Sequence, residues 1–326
     1  MEKISQRRSR NPTLSVVVPV YNEETSLPVF FPALLKQLQK SISNSYEVIV
    51  VNDGSKDNSP KIIKKFCVKD KNIKLLNLSR NFGKEIAVTA GIFQAKGEAI
   101  LMIDADGQHP VELIGKFIKA WQDGNQVVIG VRKSNQKEGL IKRYGSKLFY
   151  KLFNSITDAP IIPGATDFRL IDKVVREEFM QFTERNRMAR GVIDWIGFQR
   201  IVIPFHANNR IGGKASYKVT GLIKLALNSF VSSSVMPLYV IGYTGILTVA
   251  VSFSLGVFVV VEQFLLHDPW NLQVSGSAMI GVLTMFLVGI TLIAQGLLAI
   301  YLSHIHAQTQ NRPLFIVDKK NSVNLT

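Results

Sequence analysis

Two acidic side chains and one amide stand at alternate positions near residue 105, as Asp104, Asp106 and Gln108. The apolar segment 99–103 precedes them and predicts a buried strand that ends where they begin. Carboxylate and amide oxygens on a turn are ligands that Mg²⁺ and Mn²⁺ take, usually together with substrate phosphates. The trio therefore predicts a divalent-metal site acting on a phosphorylated substrate. The alternative is a solvated turn, in which Asp and Gly are common.

Polar clusters follow two more predicted strands, Tyr21 to Glu23 after 14–20 and Asn52 to Ser55 after 46–51. They could be simple turns and helix N-caps, for which Asn, Asp and Ser are favoured. They could instead hold a nucleotide, with Tyr21 packing on the base, Asp53 accepting from its polar edge and Glu23 near the ribose. Ligands of open α/β sheets lie beyond the carboxyl ends of the strands, so three clusters at three strand ends favour nucleotide binding.

The elements that must position these residues alternate between strand and helix. Apolar, β-branched runs predict strands at 14–20, 46–51, 73–78, 99–103, 127–131 and 199–204, and helical spacing predicts intervening helices that include 59–67 and 84–95. Such alternation predicts a doubly wound α/β domain with a Rossmann-like, mostly parallel sheet. We expect it to occupy residues 1–209.

The C-terminal third has another character. Segments 237–261 and 276–301 carry no charged residue and exceed the roughly 20 apolar residues that a membrane span needs. Two such runs in tandem argue against buried helices of a soluble core. We therefore predict a hairpin of two transmembrane helices within 236–302. An amphipathic interfacial segment should precede it at 210–235, and a cytoplasmic tail should follow at 303–326.

The charge distribution predicts the orientation. The formal net charge is +15, and the charges balance beyond residue 236, so the whole excess lies before the hairpin. The connector 262–275 has no Lys or Arg, which places it outside and both termini and the catalytic domain in the cytoplasm, at the inner or plasma membrane. Cys67 is the single cysteine and fits a reducing compartment. The basic N-terminus leads into a strand pattern, unlike a signal peptide.

Five motifs stand in order along the chain, and together they carry a resemblance. They read VPVYNE, NDGS, SRNFGKE, MIDADGQHP and TDFRLID, followed by the two apolar segments. This set resembles the family-2 glycosyltransferases that act on polyprenyl phosphates, which include bactoprenol glucosyltransferases and relatives of dolichyl-phosphate mannose synthase. The resemblance covers essentially the whole chain. It implies a GT-A fold and inverting, metal-dependent transfer of a hexose to an undecaprenyl-type phosphate, with UDP-glucose as donor and GDP-mannose as the alternative.

The resemblance also implies roles for individual residues. Donor contacts would come from Pro19, Tyr21, Glu23, Asp53, Ala105, Arg80 and Lys84. The metal, Mg²⁺ or Mn²⁺, and the diphosphate would be held by Asp104, Asp106 and Gln108. The lipid phosphate would face Arg132 and Arg143, and Arg210 would grip it with Lys214 or Lys218. Each of these cations could instead be a solvated surface charge. Asp167 would act as a base or orient the acceptor, unless it simply pairs with Arg169.

The segment before the membrane departs from the family pattern Arg-x-x-Gly-Glu-Ser-Lys-Tyr. Residues 210–217 read RIGGKASY, so Ser216 stands at the family lysine and Lys214 at the family glutamate.

A processive polysaccharide synthase is a second hypothesis, but the Gln-x-x-Arg-Trp segment it needs is absent before Trp195. A non-catalytic lipid-binding scaffold is a third. Nucleic-acid binding is disfavoured because no recognised module is present. Association into a homo-oligomer is left open.

Overall fold

The computed structural model describes residues 14–42, 45–133, 162–184, 188–209, 211, 236–261 and 276–325. Strands are β1 (Leu14–Val20), β2 (Tyr46–Asn52), β3 (Ile73–Asn77), β4 (Ala99–Met102), β5 (Val127–Arg132), β6 (Ala165–Asp172) and β7 (Arg200–Phe205). Helices are α1 (Leu27–Ile42), α2 (Ser59–Lys69), α3 (Lys84–Gln94), α4 (Ile114–Gln122), α5 (Lys173–Gln181), α6 (Ala189–Ile196), α7 (Met236–Val260) and α8 (Gly276–Thr309). Six strands fall where the sequence predicts them, and β6 is one that it did not predict.

The seven strands form one sheet in the order β3-β2-β1-β4-β6-β5-β7. Neighbours pair in parallel except β6, which runs antiparallel between β4 and β5. This confirms the predicted GT-A-like α/β fold with a mostly parallel sheet. The carboxyl ends of β1 to β4 share one edge, because register pairs Val20 with Asn52 and Asn52 with Asn77.

Helices cover both faces of the sheet, which is why its central strands are apolar throughout. Along β1, Val16 and Val18 pack into the core on one face, whereas Val17 packs into the core on the other. Helix α3 approaches that second face closely: a Cβ at Gly91 would overlap the Val17 side chain. Continuous burial on two faces is what near-continuous hydrophobic strands indicate.

The chain divides into two compact units, one of residues 1–216 and 312–326 and the other of residues 217–311. The predicted cytoplasmic tail begins at 303, and from Arg312 onward this segment belongs to the first unit. It bridges β3 in antiparallel fashion, Leu75 to Val323 and Leu78 to Val317. The outer edge of β3 is thereby covered, as edge strands commonly are.

The second unit contains the long helices α7 and α8, and α8 continues beyond the predicted end at 301. Among the residues described, Phe286–Ser303 within α8 meets the length and hydropathy expected of a membrane span. The structure thus supports one candidate span of the predicted hairpin. The connector 262–275 and the amphipathic segment 210–235, apart from Ile211, lie outside the described residues.

Candidate active site

The loops after β1 and β2 hold each other through backbone-to-side-chain hydrogen bonds. The Asn22 backbone N–H donates to Ser55 Oγ (3.0 Å), and the Lys56 N–H donates to Asn22 Oδ1 (2.8 Å). The Glu23 N–H donates to Ser59 Oγ (2.9 Å). These contacts use the Asn and Ser side chains to join two loops, so the two clusters form one surface at the strand ends. Tyr21 lies on it with 44% of its surface exposed.

A pocket of about 570 Å³ opens beside this surface. Its lining includes Tyr21, Lys56, Lys64 and Arg80, together with Asn52 and Asn77 at the ends of β2 and β3. The volume lies in the range of small-ligand sites. Three cations and an exposed aromatic ring suit a ligand that combines a base with anionic groups.

Asp53 fastens the loop that follows β3. Its two carboxylate oxygens accept from the backbone N–H groups of Phe82 (2.7 Å) and Gly83 (2.9 Å). Burial disfavours the charge and raises the pKa of Asp53, although the two N–H groups and Arg80 oppose this shift. The approach is close: a Cβ at Gly54 would lie 2.6 Å from backbone atoms of Arg80 and Asn81. Asp53 therefore sets the position of the loop that carries Arg80 and Lys84.

Lys84, at the start of α3, joins two carboxylates from distant parts of the chain. Its Nζ lies 2.7 Å from Asp104 and 2.7 Å from Asp167 Oδ2. Burial opposes the ammonium charge, but the two carboxylates outweigh burial and raise the pKa of Lys84. Burial also opposes the charge on Asp167, and Lys84 and Arg190 outweigh it and lower the pKa of that carboxyl. Lysine and aspartate are therefore both ionised at neutral pH.

The loop after β4 presents Asp104, Asp106 and Gln108, as predicted. The Gln108 N–H donates to Asp106 Oδ1 (3.0 Å), and Gly107 turns the chain with φ of 78°. A segment after β7 lies over this loop, since the Asn208 N–H donates to the Gln108 carbonyl and the Ile211 N–H donates to the Asp106 carbonyl, both at 3.1 Å. Ala105 is buried beneath it.

The side chains available here suit a hard divalent cation. Asp104 and Asp106 offer carboxylate oxygens, and Gln108 offers an amide oxygen, which are ligands that Mg²⁺ and Mn²⁺ accept. Within the described residues, no group of three or more His, Cys, Asp or Glu side chains could hold a metal by itself. A metal at this loop would therefore need further ligands, which substrate phosphates commonly supply.

His109 is a buried residue that bonds the backbone of the same loop at Asp104. The sequence did not predict this role. The His109 ring is 7% exposed and stacks on Phe168 with 5.1 Å between ring centroids. Its Nδ1 accepts from the Asp104 N–H (3.3 Å), which requires an unprotonated Nδ1. Burial lowers the pKa of His109, so the neutral ring persists at neutral pH.

Asp167 does not form the pair with Arg169 that was the alternative to a functional role. Arg169 is 1% exposed and instead binds Asp194 of α6 through two hydrogen bonds, of 2.8 and 3.2 Å. Its Nε also donates to the Thr166 carbonyl (3.0 Å). Asp167 therefore pairs with Lys84. Both Asp167 and Arg169 lie on β6, which the Arg169–Asp194 ion pair joins to α6.

Other predicted residues are less closely joined to this centre. Arg132 ends β5 with an exposed side chain, and Arg80 lies over the Phe82 ring at 4.1 Å. Glu23 accepts from Ser26 Oγ (2.7 Å), and Pro19 is half-buried in β1. Arg143, Arg210 and Lys214 lie outside the described residues.

Glu85 and Asp194 are further site residues that sequence reasoning missed. Glu85 accepts from the Ala189 N–H at the start of α6 (2.8 Å), and Asp194 holds Arg169. The motif SRNFGKE contained a signal for Glu85, because it places a second charge next to Lys84. No signal marked Asp194, since a single Asp in a helix is usually solvated.

The mostly parallel sheet, with a pocket and polar clusters at its strand ends, is a GT-A-like α/β architecture. Residues 15–179 match the sequence profile of a protein family described as "Glycosyl transferase family 2". The chain belongs to that family, which confirms the resemblance.

Similar proteins extend over nearly the whole chain. An uncharacterized glycosyltransferase of Synechocystis is 37% identical over 93% of this chain and 94% of its own length. The uncharacterized glycosyltransferase YkcC of Bacillus subtilis is 35% identical, covering 97% and 96% of the two chains. The bactoprenol glucosyl transferase of Shigella phage SfII is 35% identical, covering 95% and 99%.

Proposed function

We propose that this glycosyltransferase moves a hexose, glucose from UDP-glucose, onto polyprenyl phosphate at the cytoplasmic face of the membrane, with inversion. The observation that carries the proposal is the contact of Lys84 with both Asp104 and Asp167. It joins the loop suited to metal and diphosphate with a carboxylate on β6, so donor and acceptor groups can meet at one point. Relatives named bactoprenol glucosyl transferase support the acceptor and the sugar.

On the donor side, the base occupies the pocket beside Tyr21, and the diphosphate extends toward the loop after β4. Arg80 and Lys84 supply positive charge along this path, from a loop that Asp53 fixes. Glu23 lies near the ribose, and the backbones of Pro19 and Ala105 line the remainder. Prior fixation of these groups lowers the entropic cost of reaching the reactive geometry.

Asp104, Asp106 and Gln108 would hold Mg²⁺ or Mn²⁺ together with oxygens of the donor phosphates. Such an ion would supply positive charge to the diphosphate leaving group. Lys84 Nζ contacts Asp104 in the structure, so this ammonium lies beside a carboxylate that would hold the ion. The loop positions the diphosphate, and Arg80 offsets the remaining charge.

The acceptor phosphate is already an anion at neutral pH and needs no strong base. One of its oxygens attacks the anomeric carbon in line, and the bond to the diphosphate breaks with its electron pair remaining on UDP. Asp167 has a lowered pKa and is therefore a weak base, so its role is to orient the acceptor. Arg132, Arg143 and Arg210, with Lys214 or Lys218, hold the lipid phosphate near the membrane surface.

The proposal includes two membrane spans, which would bring the catalytic unit to the membrane surface. Large apolar side chains are exposed on both long helices, among them Ile246, Leu247 and Phe253 on α7 and Phe286, Leu292 and Ile293 on α8. Such surfaces are rare in water and suit lipid contact. With a connector that lacks Lys and Arg, the positive-inside rule keeps both termini and the catalytic unit in the cytoplasm.

The direct test is transfer of radiolabel from a nucleotide-sugar to extracted lipid. Membranes containing the protein are incubated with labelled UDP-glucose, UDP-N-acetylglucosamine and GDP-mannose in parallel. We expect UDP-glucose to label polyprenyl phosphate, EDTA to abolish labelling, and Mg²⁺ or Mn²⁺ to restore it. Asp106→Ala should be folded and almost inactive, whereas Asp123→Ala, on an exposed turn, should be active. Labelling from GDP-mannose alone, or full turnover in EDTA, would overturn the donor or the metal assignment.

A further inference from the structure

The first turn of α6 is fixed beside the Lys84–Asp167 ion pair from two sides. The first backbone N–H of this helix donates to Glu85 Oε2 (2.8 Å), and Glu85 follows Lys84 directly on α3. The Arg190 carbonyl accepts from Arg169 Nη1 (3.3 Å), and Arg169 lies two residues after Asp167 on β6. The backbone of Arg190 is therefore held between the two elements that carry the ion pair.

Apolar packing holds the same helix against its neighbours. Ala189, Val192 and Ile193 of α6 are buried. They belong to one hydrophobic cluster with Val88 of α3 and Phe179 of α5. The position of α6 therefore follows from packing and from hydrogen bonds that do not involve the guanidinium at its second residue.

That guanidinium, on Arg190, is half-buried and has most of its donors unused. Its Nε donates to Met188 Sδ (2.9 Å), and a thioether sulfur is a weak acceptor. In the part of the chain that the structure describes, its two terminal nitrogens make no hydrogen bond, and no carboxylate lies within ion-pair distance of them. Because burying a charge without hydrogen-bonding partners is unfavourable, this arrangement favours an anionic ligand at Arg190.

The charges around Asp167 show why an anionic acceptor needs this cation. Lys84 contacts two carboxylates, Asp104 and Asp167, so these three side chains together carry one excess negative charge. Burial opposes the charge on Asp167, and the charges of Lys84 and then of Arg190 outweigh burial and lower the pKa of that carboxyl. Arg190 thus acts on Asp167 without contacting it, and its charge offsets the excess that would repel a phosphate.

The placement of Arg190 favours the acceptor phosphate over the donor diphosphate. The loop after β4, which suits metal and diphosphate, contacts Lys84 through Asp104. Helix α6 is instead bonded to α3 and to β6, the strand of Asp167. Within the described residues, Arg190 makes no hydrogen bond to the loop after β4.

We propose that the Arg190 guanidinium binds the phosphate of the lipid acceptor beside Asp167. This inference rests on the proposed function, because it takes a polyprenyl phosphate as the acceptor. It adds a cation on α6 to those that the family resemblance implies. A planar guanidinium can donate to two phosphate oxygens at once, which an ammonium cannot do. Glu85 is then a positioning residue, because its carboxylate fixes the turn that carries Arg190.

The test measures equilibrium binding of radiolabelled polyprenyl phosphate, and of the polyprenol that lacks the phosphate, to the full chain in neutral detergent without donor. We expect wild type to prefer the phosphate. Arg190→Ala should bind the phosphate about tenfold to a hundredfold more weakly, the range for hydrogen bonds to charged groups, and the polyprenol equally well. Arg190→Lys keeps the charge without the planar fork and should lose less. The matched control is Arg200→Ala, which removes an exposed arginine 3.8 Å from Asp194 and should behave as wild type.

Glu85 provides a second pair of variants. Glu85→Gln keeps an oxygen that can accept from the first N–H of α6, and it should retain most of the phosphate binding. Glu85→Ala removes this acceptor and should weaken phosphate binding, though less than Arg190→Ala does. Equal binding by the two Glu85 variants would exclude the positioning role.

Three outcomes would overturn the inference while leaving the proposed function intact. Arg190→Ala could bind the phosphate as wild type does. It could lose the same factor for phosphate and polyprenol together with a lower Tm, which is the result of a purely structural role. It could bind the lipid normally and UDP more weakly in calorimetry, which would assign Arg190 to the donor diphosphate. If Arg190→Ala does not fold, Arg190→Gln carries the same comparison.

Failure of the proposed function has a different signature. If wild type binds polyprenyl phosphate no better than polyprenol, the lipid acceptor is wrong, and the inference falls with it. If wild type prefers the phosphate but transfers no glucose to it, the proposed sugar is wrong. The effect of Arg190→Ala on phosphate binding then still decides the inference, because that measurement requires no donor.

Discussion

Lys84 has two carboxylate partners, and this arrangement decides what Asp167 can do. A carboxylate next to an ammonium group keeps its charge to lower pH, and its affinity for a proton falls accordingly. Asp167 is thus suited to orienting a substrate or holding Lys84, and poorly suited to deprotonation. A phosphate acceptor removes the need for a base, so the chemistry and the electrostatics agree.

Replacing Lys84 by Gln should lower kcat/KM for transfer by about a hundredfold, the effect of removing one positioned charge from an active site. The two carboxylates would then face each other and the anionic donor without a counter-charge. Lys61→Gln, which removes an exposed lysine of α2, is the control. Initial rates of lipid labelling give the comparison. A Lys84→Gln rate equal to that of the control would exclude this role.

His109 makes the site sensitive to mild acid. Its folded pKa is below the ordinary value of 6.5, so the unfolded chain binds the proton more readily. Stability contributed by the neutral ring is then present at higher pH and is lost as the pH falls below about 6.5. We expect the Tm of wild type to fall between about pH 7.5 and about pH 5.5.

His109→Asn keeps an acceptor for the Asp104 N–H but cannot titrate. Its Tm should be lower throughout, because the stacking on Phe168 is lost. Its Tm should also change less with pH across the same window. Thermal unfolding followed at several pH values measures both slopes. Parallel slopes for variant and wild type would show that His109 is not the titrating group.

Strand β6 shows how one element serves both faces of the sheet. Phe168 stacks on His109, which bonds the loop after β4, while Asp167 and Arg169 project to the other face, toward Lys84 and Asp194. The alternation of side chains along a strand explains this division. Charged residues at alternate positions are tolerated here because each one is paired.

Asp194→Asn should lower the free energy of unfolding by about 3–5 kcal/mol, the usual cost of breaking a buried ion pair. The matched control is Glu177→Gln, which removes the exposed pair with Lys173 (4.0 Å) and should have almost no effect. Chemical denaturation of the full chain in detergent compares the two. Replacing both partners, as Arg169→Met with Asp194→Leu, should recover much of the loss. A loss for Asp194→Asn no larger than that of the control would contradict the prediction.

The molecule as a whole returns its C-terminus to the catalytic unit after the apolar helices. The tail therefore cannot be on the opposite side of a membrane from β3, which it bridges. This agrees with the proposal that both termini are cytoplasmic. It also means that the segment after α8 is folded against the sheet and is structurally part of the enzyme unit.

Topology can be measured with an impermeant thiol reagent on intact cells. Burial raises the pKa of the Cys67 thiol to about 11, so the natural cysteine should react slowly and can stay. A cysteine at Asn271 should label from outside, and one at Lys320, which is exposed, should label only after permeabilisation. Ser322 is unsuitable as a labelling position because its Oγ accepts a hydrogen bond from the Asn77 N–H, which a cysteine would disturb. Labelling of Lys320→Cys in intact cells would reverse the proposed orientation.

Much of the fold could be read from the sequence because its signals are local. Continuous apolar runs identify six strands, and polar residues end several of them at one edge of the sheet. The family motifs identified a glycosyltransferase. Asp104, Asp106 and Gln108 lie on the loop after β4, directly beyond the strand that the sequence predicts. These features depend on spacing within a few residues, which the chain alone determines.

Strand β6 escaped prediction because Asp167 and Arg169 interrupt its apolar pattern, and such charges ordinarily indicate exposure. Their partners, Lys84 and Asp194, are distant in sequence. The ion pairs that offset the cost of burying these charges are therefore visible only in the folded chain. The tail escaped for a similar reason: its polar residues near 318–322 have no periodic pattern and bond to β3 across more than 240 positions. The sequence by itself determined six strands of the sheet, the strand-end clusters and the apolar character of the two long helices. The tertiary structure alone decided which charges meet and which segment covers the outer edge of β3, because pairing between distant residues depends on the path of the chain through space.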